Sequence, residues 1–193
     1  MTTKKRKIAI FISGRGSNML SILEACKDPD FPAEISVVLS NRPEAQGIKT
    51  AQDHGIATEI IDHKAYATRE DFEDVILKRL KNHPVDLIVL AGFMRILTAH
   101  FIRKWPDKII NIHPSLLPDY KGLNTHARAI NDGKKEAGCT VHYVIPDLDS
   151  GSIILQKRIP ILDGDTPDSL SNRVLEQEHI AYPEAIKIIA TRA

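Results

Sequence analysis

Only two cysteines, Cys26 and Cys139, occur in the 193 residues, and neither has a partner at metal-ligand spacing. They read as buried or inert thiols of a reducing cytoplasm. A dominant charge is missing too: 26 Lys and Arg against 25 Asp and Glu leave a formal net charge of +1. That balance makes no bulk electrostatic case for nucleic acid or a membrane surface. No apolar run reaches membrane-spanning length, and the first residues lack the apolar stretch of a signal peptide. Lys4-Lys5-Arg6-Lys7 reads as a solvated lead-in to a strand rather than an address. Repeats, low-complexity tracts and an interdomain linker are also lacking. A chain of this length, 42% hydrophobic and 26% charged, is therefore read as one globular domain.

What is present alternates. Lys7–Ile12 is an apolar run of buried-strand length, and Met19, Leu20, Ile22, Leu23 and Cys26 form the apolar side of a following helix. A strand over Glu34–Ser40, a helix over about Glu44–His54 and a short strand over Thr58–Ile61 come next. Thr68 caps a helix whose buried stripe is Phe72, Val75, Ile76 and Leu80, with Asp71 three residues after the cap. Val85–Leu90 is another buried strand, and Ile109-Ile110 begins one more. A helix over Thr125–Asn131 precedes a hairpin whose strands lie in Gly138–Ile145 and Ser152–Arg158. Thr166-Pro167-Asp168 opens the last helix, which Pro183 is expected to kink or break. The pattern predicts an α/β, Rossmann-like, mostly parallel sheet with helices on both faces and a late antiparallel hairpin.

Three stretches carry candidate chemistry. Ser13-Gly-Arg-Gly-Ser-Asn18 joins a strand to a helix N-terminus, where free N–H groups and the helix dipole favour an anion. It is no dinucleotide loop, because Met19 stands where a third glycine belongs and Asn41 where an acid ends the second strand. It also lacks the Gly-Lys-Ser/Thr of a P-loop. A site for one phosphate, with Gly16, Ser17 and Asn18 as donors, competes with a tight turn capped by Ser or Asn. Ala91–Leu97 suits either an apolar slot for a flat ring or ordinary core. In Asn111-Ile-His-Pro-Ser-Leu-Leu-Pro118, the pleat sets Asn111 and His113 on one face at a strand's carboxyl end. From these eight residues alone, a polar strand end before a proline-punctuated loop explains the pair equally well. Arg69 opposes the dipole of its helix, which suits placement for a ligand, although most such arginines are simply solvated. Asp149 suits a turn.

Taken together, Ser13–Asn18, Ala91–Leu97, Asn111–Pro118, Asp147-Leu-Asp-Ser-Gly151 and Gln177-Glu-His179 resemble the folate-dependent formyltransferases, and among these the phosphoribosylglycinamide formyltransferases. The resemblance runs from Ile8 to about Tyr182. It implies a single formyltransferase-fold domain, with a phosphate-binding half over about 7–105 and a catalytic and folate-binding half over about 106–193. It implies formyl transfer from 10-formyltetrahydrofolate to the glycinamide amino group in purine biosynthesis, without a metal. The setting implied is cytoplasmic, with small-molecule substrates and a monomer or homodimer. By the same resemblance Asn111, His113 and Asp149 are the catalytic trio, and Gly16, Ser17, Asn18 and Glu178 hold the ribonucleotide. The folate falls to Arg69, Met94, Arg95, Ile96, Leu97 and Asn111, and to the loop Ile145, Pro146, Asp147, Leu148 and Asp149. Asn124 stands where many relatives carry histidine, so no role passes to it, and His126 is left as a supporting group.

The residue types suit that chemistry. Asn111 and a protonated His113 can donate to the oxygen of a tetrahedral intermediate, and an ionised Asp149 nearby would favour the imidazolium. No base is evident in sequence to activate Cys139 or Ser115, so direct transfer is expected. Two hydrolytic or transfer rivals share the trio. Formyltetrahydrofolate deformylase usually adds an N-terminal regulatory domain, and methionyl-tRNA formyltransferase a C-terminal tRNA-binding one; neither is expected here. A non-catalytic binding module would have no need of His113 and Asp149.

Overall fold

The computed structural model describes residues 5–191, so Lys4 of the basic lead-in lies outside the described residues. Seven strands form one sheet: β1 (Arg6–Ile12), β2 (Ala33–Ser40), β3 (Thr58–Ile60), β4 (Leu87–Leu90), β5 (Ile109–His113), β6 (Glu136–Tyr143) and β7 (Ile153–Pro160). Their order is β3-β2-β1-β4-β5-β6-β7. The first five run parallel, and β6 and β7 are antiparallel additions at one side. The helices are α1 (Ser17–Cys26), α2 (Gln46–Asp53), α3 (Arg69–Leu80), α4 (Ala99–Lys104), α5 (Thr125–Asn131) and α6 (Pro167–Thr191).

The pleat of β1 divides the core. Ile8, Ile10 and Ile12 join Met19 and Ile22 of α1 and the buried stripe of α6 on one face. Ala9 and Phe11 join Phe72 and Ile76 of α3 and Phe101 of α4 on the other. A strand buried on both faces has no need of alternation, which is why Ile8–Ile12 reads as a continuous apolar run. Successive strands are added on one side of β1 up to β3, and then β4 returns to its other side. Adjacent strands whose following loops diverge leave a crevice at their carboxyl ends.

The caps follow the expected chemistry. Thr68 Oγ1 accepts from the Asp71 N–H at 3.1 Å, and Thr166 and Ser169 exchange reciprocal bonds at the start of α6. Three expectations change. Leu20 is outward, at 38% exposure, because α1 turns only Met19, Ile22 and Leu23 to the sheet. The helix α4 has no counterpart in the sequence reading; Thr98 caps it and is itself held by the buried Glu73 carboxylate, which accepts from the Thr98 N–H at 2.7 Å. Pro183 does not end α6, which runs through it. The loss of a hydrogen bond at proline costs about 3 kcal/mol. Burial of Val174, Ala181, Tyr182, Ala185, Ile186 and Ile189 on either side of Pro183 offsets it.

Tyr182 joins this helix to the sheet. It is fully buried, and its hydroxyl donates to Leu90 O at 2.8 Å, at the end of β4, and to Ile110 O at 3.2 Å, near the start of β5. Tyr182→Phe leaves both carbonyls short of a donor in an apolar setting. Urea denaturation is expected to show a loss of about 1–3 kcal/mol, with an unchanged m value.

Candidate active site

Two cavities open at the carboxyl edge of the sheet. The smaller, of about 270 Å³, is built on the loop after β1. Gly16 is the N-cap of α1 in the left-handed region (φ 76°) and supplies no side-chain cap, so the Ser-or-Asn capping alternative does not hold. Among the described residues, no side chain caps the N–H groups of this first turn. Gly16, Ser17 and Asn18 line the cavity together with two cations, Arg15 and Arg42. Close packing shapes the loop: the Gly47 N–H donates to Gly14 O at 3.0 Å, and a Cβ on Gly47 would stand 2.5 Å from the Ile12 side chain.

Asn18 is committed deeper in. Its Nδ2 donates to Glu178 Oε2 at 2.7 Å, and both residues are buried. Burial pushes the Glu178 carboxyl above its usual range, against a smaller pull downward from the Asn18 hydrogen bond. Among the described residues, Asn18 Oδ1 is buried without a hydrogen-bond partner. An acceptor so placed suits a donor from a ligand.

The larger cavity, about 360 Å³, lies beside it and shares Met94 as a wall. Its lining is mainly apolar, with Leu90, Phe93, Ile96, Leu97, Val144 and Leu148 among it. Phe93 and Leu97 are core residues at the cavity floor, whereas Met94 and Ile96 are 64% and 57% exposed. Ala91–Leu97 thus divides between buried core and exposed cavity wall. Arg95, Ile145, Pro146 and Asp149 line the same cavity. Arg69 and Asp147 are exposed and do not. Arg69 stands in the first turn of α3, and Asp147 turns outward in the loop between β6 and β7.

The polar end of this cavity is where β5 meets β6. Asn111 pairs with His142 and His113 with Thr140, so one face of the two strands carries Asn111, His113 and His142 into the cavity. Asp149 joins them from the loop after β6, with a backbone in the left-handed region (φ 48°). It is thus both a turn residue and a member of the cluster. His113 Nδ1 lies 3.4 Å from Asp149 Oδ2, and His113 Nε2 lies 2.9 Å from Tyr120 O. Both ring nitrogens face acceptors, an arrangement that a doubly protonated ring satisfies. The Gly122 N–H donates to the same Asp149 oxygen at 2.9 Å.

His142 is the functional neighbour the sequence reading missed. Its Nδ1 lies 2.9 Å from Tyr143 O, which assigns the proton to Nδ1 and leaves Nε2 to accept from Asn111 Nδ2 at 3.3 Å. Burial lowers the His142 pKa, only partly opposed by the Tyr143 carbonyl and by Asp149. A neutral His142 therefore fixes the Asn111 amide. The signal in sequence was the alternation of Thr140 and His142, but the register opposite β5 is a property of two strands, not one.

Neighbouring groups are otherwise engaged. Ser115 Oγ donates to Asp119 O at 2.6 Å, and the Leu117–Pro118 peptide bond is cis. Burial pushes the thiol of Cys139 up to about 12 and that of Cys26 to about 11, so neither is a nucleophile near neutrality. His126 lines a smaller cleft behind the loop, its pKa lowered by burial and by His113, and Asn124 is the N-cap of α5 without a side-chain bond.

The raised Glu178 carboxyl predicts a pH dependence. The folded state binds more protons than the unfolded state above the ordinary carboxyl value of 4.5, so stability falls as pH rises through that window. Glu178→Gln keeps an acceptor for Asn18 and removes the titration. Its urea midpoint at pH 7.5 should exceed that of the parent, and its midpoint should vary less between pH 5 and 8.

Residues 6–186 match the formyl transferase family. The chain is 43% identical to the trifunctional purine biosynthetic protein adenosine-3 of Homo sapiens over 97% of its own length, but spans only 19% of that protein. It is 44% identical to the phosphoribosylglycinamide formyltransferase of Haemophilus influenzae, covering 94% of this chain and 86% of that one. The crystal structure of phosphoribosylglycinamide formyltransferase from Brucella melitensis superposes with a TM-score of 0.93 at 48% identity, over 97% of this chain and 96% of the other. The mostly parallel sheet with its late hairpin is thus shared with that structure.

Proposed function

The chain belongs to the formyl transferase family, and we propose that it moves the formyl group of 10-formyltetrahydrofolate to the amino group of 5-phosphoribosylglycinamide in purine biosynthesis. One observation carries the reading. The Asn111–His113–Asp149 cluster ends an apolar cavity that shares Met94 with a second cavity built on a helix N-terminus and two arginines.

The apolar walls suit a flat heteroaromatic ring, with Met94, Ile96 and Leu97 on one side and the Ile145–Leu148 loop on the other. Gly16, Ser17 and Asn18 suit a phosphate dianion, and Arg15 and Arg42 add positive charge. Glu178 and the unpartnered Asn18 Oδ1 are acceptors for hydroxyl groups of the same substrate. Residues from both halves of the chain line the folate-side cavity, and Glu178 reaches the phosphate side through Asn18.

In the proposed reaction the neutral amine attacks the formyl carbon, a C–N bond forms, and negative charge gathers on the formyl oxygen. Asn111, oriented by His142, and His113 donate to that oxygen; such preorganised donors contribute roughly 2.7–4 kcal/mol each in other enzymes. The bond from the formyl carbon to the folate nitrogen then breaks. The proton lost by the amine reaches the departing nitrogen, with Asp149 and His113 as carriers through water. No metal is required, because the developing charge is met by Asn111 and His113. No covalent enzyme intermediate is required either, since Ser115 is engaged and Cys139 stays protonated. We place the reaction in the cytoplasm, on small molecules alone, with the chain as a monomer or homodimer.

The test is tetrahydrofolate formation from 10-formyltetrahydrofolate, with and without the ribonucleotide. Turnover should require the ribonucleotide and yield its formylated product; release of formate without it would make the protein a deformylase. His113→Ala and Asp149→Asn should each lower kcat by at least about a hundredfold. Unchanged transfer in either variant would remove that residue from the mechanism.

A further inference from the structure

The loop from Asp119 to Asn124 grips both members of the His113–Asp149 pair through its backbone. Tyr120 offers its carbonyl to His113 Nε2 at 2.9 Å, and two residues later Gly122 gives its N–H to Asp149 Oδ2 at 2.9 Å. Apolar burial does not hold this loop, since Leu123 is 80% exposed. Its Tyr120 and Gly122 both sit in the left-handed region, at φ 55° and 77°. Polar contacts hold it instead, from α5, from the turn after it, and from Ser150 in the loop after β6, whose Oγ accepts from Lys121 Nζ at 2.6 Å. Arg128 Nη1 donates to Lys121 O at 2.8 Å and to Leu123 O at 3.3 Å, the carbonyls of the residues before and after Gly122. Its guanidinium also stacks over the Tyr120 ring at 5.1 Å, and the Tyr120 hydroxyl donates to Asp132 Oδ2 at 2.8 Å.

We propose that Arg128 is a positioning residue for the proton-transfer pair: by clamping the 121 and 123 carbonyls and the Tyr120 ring, it holds the Tyr120 carbonyl on His113 and the Gly122 N–H on Asp149. The proposal rests on the formyl transfer proposed above. Arg128 lines neither cavity, so it acts only through the loop. A planar fork with several N–H groups can serve two carbonyls and a ring face together; a lysine ammonium matches the charge but not the fork. Without the clamp, the ordering of a loop with little buried surface is opposed by its conformational entropy. Lys121 Nζ on Ser150 Oγ at 2.6 Å and Lys134 Nζ on Asp119 Oδ2 at 2.9 Å still tether the loop, but both backbone contacts loosen together, and misplacement on the scale of an ångström slows chemistry severely.

Arg128→Met keeps the aliphatic stem and removes the fork. Its kcat should fall about tenfold or more, with the KM for the ribonucleotide changed by less than about twofold, because the phosphate cavity is built on other elements. Arg128→Lys should recover part of the loss. Nitrogen-15 spectra of the histidine rings supply a readout independent of turnover: the His113 signals should move in Arg128→Met. Parental kcat in that variant would overturn the proposal. So would a loss that tracks the unfolded fraction in urea while the His113 signals of the folded protein stay in place. A parent protein that fails to formylate the ribonucleotide would instead defeat the functional reading, and the ring signals would still decide the role of Arg128.

Discussion

The pairing of β1 with β4 is the constraint from which the site follows. These strands are neighbours in the sheet, yet the chain leaves them in opposite directions, so their carboxyl ends are not covered by a shared connection. The two loops that start there meet instead of diverging fully. Ser13 N–H donates to Gly92 O at 3.1 Å, and Ser13 Oγ accepts from the Met94 N–H at 2.8 Å while donating to Asn41 Oδ1 at 2.5 Å. One buried hydroxyl thereby sets the partition between the two cavities. Met94 has its backbone tied and its side chain exposed, which is why it faces both.

Polar groups around this crevice are separated by how their surroundings treat charge. Glu178 and His142 are both buried, and burial drives each toward its neutral form, the acid by raising its pKa and the base by lowering it. Each of these groups orients an amide: Glu178 holds Asn18, and His142 holds Asn111. The cluster thus contains two parallel arrangements in which a titratable side chain serves as a fixed acceptor for an asparagine. Asp149 differs, since it receives the Gly122 N–H and lies between two histidines.

Much of this was legible in the chain because the signals were local. The Thr68 and Thr166 caps, the helix over Thr125–Asn131 and the shared face of Asn111 and His113 each depend on residues a few positions apart. Signals failed where distant groups decided the outcome. The start of α4 depends on Glu73, twenty-five residues before Thr98. The role of His142 depends on the register of β6 against β5, and the continuity of α6 through Pro183 on burial against the sheet. Arg69, in the first turn of α3, and Asp147, in the loop after β6, stand outside the cavity lining: a resemblance carries residue positions, whereas lining depends on which way each side chain faces. The loop of Tyr120 and Gly122 was invisible because its contribution is made by backbone groups, which every residue possesses.

The long final helix also serves as a ruler. Glu178 and Tyr182 are four residues apart and so lie on one face of α6, about one turn from each other. Tyr182 is pinned to the last carbonyl of β4 and to the Ile110 carbonyl within β5, and Glu178 reaches Asn18 at the start of α1. A slide of the helix along its axis would move both contacts by the same distance. The depth at which the Glu178 carboxylate stands is therefore gauged against the strand that carries Asn111 and His113. Two ends of the crevice that share no sequence neighbourhood are kept in proportion by a single rigid rod.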